Sequence, residues 1–357
     1  MNLIILDTNL NAIDVIDTYE SVIWTERYNK YGDFELYTAV NDEILSLMVP
    51  DYYITIRESD HVMIIEDNII KADSENGTHI TTVGKSLESI LNRRLLWGYT
   101  SIDGNLQNGV ERLLNECIIN PVNPDRKIDN FIFEASDDPA ITGLTITAQY
   151  SAGSDLYETI SKICIENGIG FKITLNDNKQ FIFKLYAGVD RSYSQFDNPY
   201  VVFSPNFENL SNSNFAESKS SYKNVTLIGG EGEGLDRRYA AVGQATGLNR
   251  REVFTDASDI TSDVGDGTSI TDEQYTLILQ QRGLEELANM GVSTSFEGEA
   301  ETSIMFKYGE DFYMGDIVQV ADEYGHESTS RITELIRSEN EEGSSVYPTF
   351  ENVEEGE

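Results

Sequence analysis

Between Gly315 and Ser338 apolar and polar residues alternate with period two on both sides of a break, which is the pattern of a β-hairpin. Asp316, Val318 and Val320 share one face of the outgoing run, with Ile317 and Gln319 on the other. The turn falls at Tyr324-Gly325, and Arg331 to Ile336 returns with Ile332, Glu334 and Ile336 on a single face. The same plan occurs earlier, between Asp51 and Ile70: Tyr52, Ile54 and Ile56 point inward, Glu58-Ser59-Asp60 makes a polar turn, and a strand follows. Two such hairpins far apart in one chain predict a duplicated β-barrel.

Residues 1 to about 90 read as all β. Leu3 to Leu6 is a short apolar run closed by the turn formers Asp7-Thr8-Asn9. Ser21 to Glu26 and Phe34 to Val40 are extended, and Phe34, Leu36 and Thr38 alternate with Glu35 and Tyr37. Gly32 sits at the turn between them, while Trp24 and Phe34 bring large core surface to either side. Gly77 to Val83 is a further strand, after which Ser86 is placed to cap a helix with Leu87, Ile90, Leu91 and Leu95 on its stripe.

Beyond residue 91 the period changes. Leu106, Val110, Leu113, Leu114, Cys117 and Ile118 form a helical stripe, and Pro121 and Pro124 make Asn120 to Asp125 a loop. Leu156, Ile160, Ile163 and Cys164 mark a second helix, stopped at Gly168. Gly170 to Leu175 and Lys179 to Leu185 then form a hairpin through Asn176-Asp177-Asn178. After Asn206 the chain returns to β, with a strand around Val225 to Ile228 and a glycine-rich exit from Gly229 to Gly234. Arg250 to Gly267 reads as a polar loop. Thr271 and Gln274 open the longest helix, to Met290, with a stripe of Tyr275, Ile278, Leu279, Leu284, Leu287 and Ala288. Glu297 to Lys307 alternates as a strand, and the end from Thr349 to Glu357 is acidic and predicted to fray.

Length and composition set the scale. A chain of 357 residues predicts two to four domains. The excess of 62 acidic over 25 basic residues gives a net charge of −37, a field that opposes phosphate backbones and disfavours specific nucleic-acid binding. It serves solubility, or a surface past which DNA slides without being held. Cys117 and Cys164 lie in helical stretches and are expected as buried thiols. The start MNLIILD lacks a basic region and meets Asp7 before an apolar run develops, so no signal peptide is expected. No apolar run approaches 18 residues, so no stable membrane insertion is expected, and synthesis and folding are placed in a cytoplasm.

No catalytic, cofactor-binding or metal-binding residue is assigned. Val83-Gly84-Lys85-Ser86 resembles the end of a phosphate loop, but the position five before Gly84 is His79, not glycine. Glu231 and Glu233 make the glycine-rich exit a poor phosphate cradle. Asp263-Val264-Gly265-Asp266-Gly267 lacks the ligand alternation and closing glutamate of a calcium loop. The histidines His61, His79 and His326 form no zinc-binding pair, and no nucleophile elbow occurs. Carboxylate pairs are too numerous to single out a glycosidase. Trp24 reads as core, and Trp97 is the remaining candidate for a sugar platform.

Several of these stretches, in order, resemble a known family. Trp24, Tyr28 and Gly32-Asp33-Phe34-Glu35-Leu36 are similar to the first domain of tail-tip hub proteins of long-tailed bacteriophages, as is Val83 through Arg94. Tyr222-Lys223-Asn224-Val225 with Gly229-Gly230-Glu231-Gly232 resembles the start of that family's second barrel. Gln281-Arg282-Gly283, Gly315-Asp316-Ile317-Val318, Arg331-Ile332-Thr333-Glu334 and Tyr347-Pro348-Thr349-Phe350 resemble its C-terminal part. The family is the N-terminal hub part of the tail-associated lysins, similar to the baseplate hubs of contractile phages.

The resemblance implies a β-rich α+β protein with two tail-tube-like β-barrels and two smaller intervening α/β domains, assembled as a trimeric ring. It implies a first hub barrel over 1–90 and an α+β domain over 91–190. A second, split barrel covers 191–235 and 301–350, with an inserted helix-containing domain at 236–300 and an acidic tail at 351–357. The implied partners are two further copies, the hexameric distal tail protein, the tape measure protein and, at the tip, receptor-binding proteins or tail fibres. The implied place is the virion tail tip, and the implied role is to join the tail ring to the tip and to close or gate the DNA channel. The loop Arg237 to Asp266 matches no pattern of the family. Because the sequence stops soon after Phe350, the wall-degrading extension of many relatives is expected to be absent, and the chain is not expected to be an enzyme. The alternatives are a cell-wall hydrolase of the tail tip and a carbohydrate-binding adhesin.

Overall fold

The computed structural model describes residues 1–75, 77–263, 269–299, 305–322, 324 and 327–353. The first part comprises β1 (Leu3–Leu6), β2 (Ala12–Ile16), β3 (Ser21–Arg27), β4 (Asp33–Ala39), α1 (Asp42–Leu47), β5 (Tyr53–Thr55), β6 (Val62–Asp73) and β7 (Gly77–Ser86). Next come β8 (Thr100–Asn105), α2 (Leu106–Leu114), β9 (Phe131–Glu134), α3 (Pro139–Thr142), β10 (Thr145–Tyr150), α4 (Leu156–Glu166), β11 (Gly170–Leu175) and β12 (Phe181–Tyr186). The chain continues through β13 (Val202–Phe203), β14 (Ser211–Ser218), β15 (Val225–Gly229), β16 (Tyr239–Val242), β17 (Glu252–Asp256) and α5 (Asp272–Ala288). It closes with β18 (Ser293–Glu299), β19 (Ile317–Ala321), β20 (Glu327–Asn340) and β21 (Gly343–Asn352).

One large sheet collects strands from both ends of the chain, in the order β14-β18-β21-β20-β3-β4-β7-β6-β5-β1-β2, with β19 and β13 attached beside β20. Within it the pairings repeat. The row Ile65–Gly84–Phe34–Trp24 crosses β6, β7, β4 and β3. The row Ile332–Phe350–Phe296–Phe215 crosses β20, β21, β18 and β14 in the same sense. Each long strand carries a bulge at the same place, between Ile65 and Asp67 in β6 and between Ile332 and Glu334 in β20. Backbone contacts agree: Ile65 bonds to Asp51 and Tyr52 as Ile332 bonds to Gly315 and Asp316. The repeat departs at its rim, where β1 lies antiparallel to β5 but β13 parallel to β19.

The bulge changes which residues reach the core. Alternation alone assigned Ile332, Glu334 and Ile336 to one face. The extra residue at Thr333 shifts the phase, so Ile332 and Leu335 are buried together and Ile336 is only half-buried. On β6 the run Val62–Ile65 is buried on both faces: Met63 and Ile65 join the core of the first half, while Val62 and Ile64 join the core under α2 and α4. A strand enclosed on both sides gains from a continuous apolar run, which is what this stretch supplies.

Other expectations need correction. The first 90 residues are not all β, because Asn41 caps α1 through a 2.8 Å bond from the Ile44 amide to its Oδ1. Ser86 caps no helix; its hydroxyl accepts from the Gly32 N–H at 2.7 Å, and the helical turn over Leu87–Arg93 leaves Leu95 exposed. Gly84 is required by packing, since a Cβ there would lie 1.8 Å from the Ile64 carbonyl oxygen. β15 pairs with β16 and β17 in a separate sheet rather than with the second half, whereas β18 joins the large sheet. Residues 219–292 thus lie between two paired neighbours, β14 and β18. Part of the polar stretch Arg250 to Gly267 is the strand β17, and 264–268 lie outside the described residues. α5 has the capping box of Thr271 and Gln274, but it buries Gly283 and Glu285 while Leu284 is exposed. The alternation read over Glu297 to Lys307 spans the end of β18 and residues 300–304, which lie outside the described residues. Glu351 and Asn352 are not frayed; they pair with Arg331 and Ser330. Among the described residues no helix is long and apolar enough to cross a membrane.

Candidate assembly edges and the central junction

Tyr28 stands where the two halves of the large sheet meet the α+β region. It is fully buried, its amide donates to the Thr333 carbonyl at 2.9 Å, and its carbonyl accepts from the Phe171 amide at 3.1 Å. Its hydroxyl donates to the Gly168 carbonyl and accepts from the Gly188 amide, both at 3.2 Å. The ring lies edge-on to Tyr186 at 5.2 Å and beneath the Arg331 guanidinium at 5.3 Å. Burial raises the pKa of its phenol. Gly315 is indispensable beside it, with φ +90° and room for a Cβ only 2.1 Å from the ring.

Asp316, on the next residue, anchors the connection from the α+β region. Its Oδ1 accepts from the Val189 amide at 2.7 Å, and its Oδ2 accepts from Arg191 Nε at 2.7 Å and the Tyr313 amide at 3.0 Å. A cleft of ≈ 710 Å³ opens beside this junction, lined among others by Glu26, His61, Lys172, Tyr186, Tyr308 and Arg337. Its charges are matched internally: Arg337 with Glu26 at 3.4 Å, Lys172 with Asp60 at 3.3 Å. His61 lies 3.5 Å from Glu88, whose Oε1 accepts from the Ile173 amide at 2.7 Å. Burial opposes charge on both members of that pair, but each outweighs it for the other, so the imidazole is raised and the carboxyl lowered. With its charges so matched, the cleft offers a ligand little net field.

The contact of α4 with α5 holds two crowded carboxyls. Glu285 is buried, with Oε1 accepting from the Tyr150 hydroxyl at 2.8 Å; Glu166 Oε2 accepts from Gln281 at 2.5 Å. Burial, with the Glu285 charge second, pushes the Glu166 carboxyl up to about 8. A folded-state value above the ordinary 4.5 makes stability fall as pH rises from 4.5 through 8, because the unfolded chain releases that proton first. Glu166→Gln is therefore expected to leave stability nearly unchanged at pH 4.5. It should raise stability by about 1–2 kcal/mol at pH 8.5, after allowance for partial solvent screening. Urea unfolding of both proteins at the two pH values measures this.

The singled-out histidines and tryptophans fall in different places. His79 Nε2 lies 2.6 Å from Glu20 and its ring stacks on Tyr37; His326 lies outside the described residues. Trp24 is core, whereas Trp97 is exposed with Arg126 over its ring at 4.4 Å. Glu231 does not face an open loop: it accepts from the Ser262 amide and pairs with Arg238. Among the described residues no group of three or more His, Cys, Asp or Glu is placed to hold a metal ion.

The least satisfied surfaces are strand edges. β20 beyond its bulge is covered by β3, in a ladder from Glu334–Arg27 to Asn340–Ser21. Arg27 reinforces it, with Nε 2.5 Å from Glu334 and a further pair to Asp33. The same arm of β6, from Asp67 to Asp73, has β7 on one side and no described strand on the other; Ile69 and Ile70 are about half-exposed. β14 ends the sheet, so its outer edge is also open among the described residues. The sequence places Asp316 on a hairpin face and Tyr28 in a family pattern, but points neither to their contacts nor to these edges. The paired placement of the two hairpins was the available signal for the edges.

The fold is shared with solved tail proteins. Prophage tail protein gp18 from Listeria monocytogenes EGD-e matches with a TM-score of 0.58 at 12% identity, covering 100% of this chain and 96% of that one. The tail protein from Neisseria meningitidis MC58 matches at 0.60 and 12% identity, covering 98% and 96%. The 43 kDa tail protein of prophage MuSo2 from Shewanella oneidensis matches at 0.60 and 11%, covering 99% and 98%. No curated protein matches the sequence. The model of the Siphovirus ReqiPepy6 Gp37-like proteins matches residues 2–350, and with that coverage the chain belongs to this family.

Proposed function

We propose that this chain is the trimeric hub of a phage tail tip. Each subunit contributes two similar barrel-like halves, one from residues 1–90 and one split around the insert between β14 and β18. Three subunits then present six similar units to the hexameric distal tail ring, converting sixfold to threefold symmetry. The α+β region of 91–190 and the insert hang from this ring and close or open the channel for the genome. The hub acts by shape and carries no catalytic step of its own, and the tape measure protein meets it from the tail side.

The observation that supports this reading is the repeated pairing of β3, β4, β6 and β7 by β14, β18, β20 and β21, bulge included. A chain with two equivalent halves supplies two quasi-equivalent positions in a ring. The net charge of −37 gives a channel lining that does not retain DNA. It also sets subunits against one another, so added salt is expected to favour assembly. Light scattering followed by negative-stain averages tests the reading: a trimer with a roughly sixfold top view is expected. A compact dimer with a closed cleft would overturn it.

A further inference from the structure

We infer that β14 of one copy adds to the open arm of β6 in the next copy, in the register that β3 already uses on β20. This rests on the hub reading for the number of copies, but the contact itself is drawn from pairings inside the chain. β3 is seated on β20 with Trp24 opposite Arg337, five residues beyond Ile332. In the repeat, Phe215 takes the place of Trp24, and Ile70 is the residue five beyond Ile65. Carrying the ladder across sets Phe215 opposite Ile70 of the next copy, Ala216 opposite Ile69, and Glu217 opposite Asn68.

Both edges are of the right kind. The arm of β6 is as long beyond its bulge as the covered arm of β20, yet it is exposed where its counterpart is largely covered. Two isoleucines, Ile69 and Ile70, are open to water there, one on each face of the strand. An unpaired strand edge with apolar residues is a template for another chain. The occupant is a second copy, because the internal ladder is continuous with the same sheet and the matching strand, β14, is free at the other end of it. The contact is heterologous, edge to different edge, so it propagates around a ring rather than stopping at a dimer.

Paired cysteines in one chain test the register. Ala216→Cys with Ile69→Cys places two thiols opposite each other between copies, while Ala216→Cys with Ile70→Cys is offset by one residue and faces the wrong side. Cys117 and Cys164 are buried and do not compete. Mild oxidation of the full chain is expected to give a covalent ladder ending in a closed ring for the first pair, at least tenfold more than for the second. Ile69→Lys, in an otherwise unaltered chain, is expected to shift the assembly toward monomer while leaving the secondary structure of the subunit, read by circular dichroism, intact. An oligomer that forms without preferential cross-linking of the first pair would overturn this contact and leave the hub reading standing. A chain that remains monomeric at every concentration and salt level would overturn both.

Discussion

Tyr28→Ala is expected to lower stability by roughly 3–5 kcal/mol, the cost of emptying a buried aromatic site. The effect should exceed that of an ordinary core truncation in one respect. The hydroxyl bonds to Gly168 and Gly188, which tie β3's end to the distant α+β region, go with the ring, while the backbone bonds to Thr333 and Phe171 remain. Removing the ring also takes away the aromatic face under Arg331, which keeps its bond to the Gly315 carbonyl. Denaturant unfolding followed by fluorescence and circular dichroism should then separate into more than one transition. Tyr28→Phe keeps the ring and loses only the hydroxyl's two bonds, so about 1–2 kcal/mol is expected. A single unshifted transition in Tyr28→Ala would show that the junction does not couple the cores.

Asp316→Ala is the second large effect, at roughly 3–5 kcal/mol. The carboxylate is buried and serves three donors at once, from Val189, Arg191 and Tyr313. Its removal leaves the largely buried Arg191 guanidinium without its counter-charge, a costlier state than having neither partner. Replacing both, Asp316→Ala with Arg191→Met, should recover part of the loss, and a double-mutant cycle measures the coupling. Truncation of an exposed pair such as Lys184 with Glu134 should cost well under 1 kcal/mol by comparison.

How much of this was legible in the sequence depends on the range of the forces involved. Period-two alternation located both hairpins, and helical stripes located α2, α4 and α5, the last with its capping pair, because those patterns are set by neighbours a few residues away. The inward position of Asp316, on one face with Val318 and Val320, was likewise readable; its partners were not. A bulge has no composition of its own, so Thr333 looked like any residue of an alternating run and Leu335 was assigned to the wrong side. β15 reads as a strand from its β-branched residues like those of the large sheet, and only its pairing with β16 and β17 separates it. Tyr28 was noticed as part of a family pattern, but its contacts reach over 140 residues along the chain.

The two halves join β3 to β4 and β14 to β18 in the same place but by different means. In the first half the connection is residues 28–32; in the second it is residues 219–292, with a helix and a sheet of their own. The flanking strands pair alike in both cases. The length of the connection is therefore independent of the framework that holds it. A lineage built on this plan is free to exchange the module at that mount without disturbing the pairing of the strands that carry it.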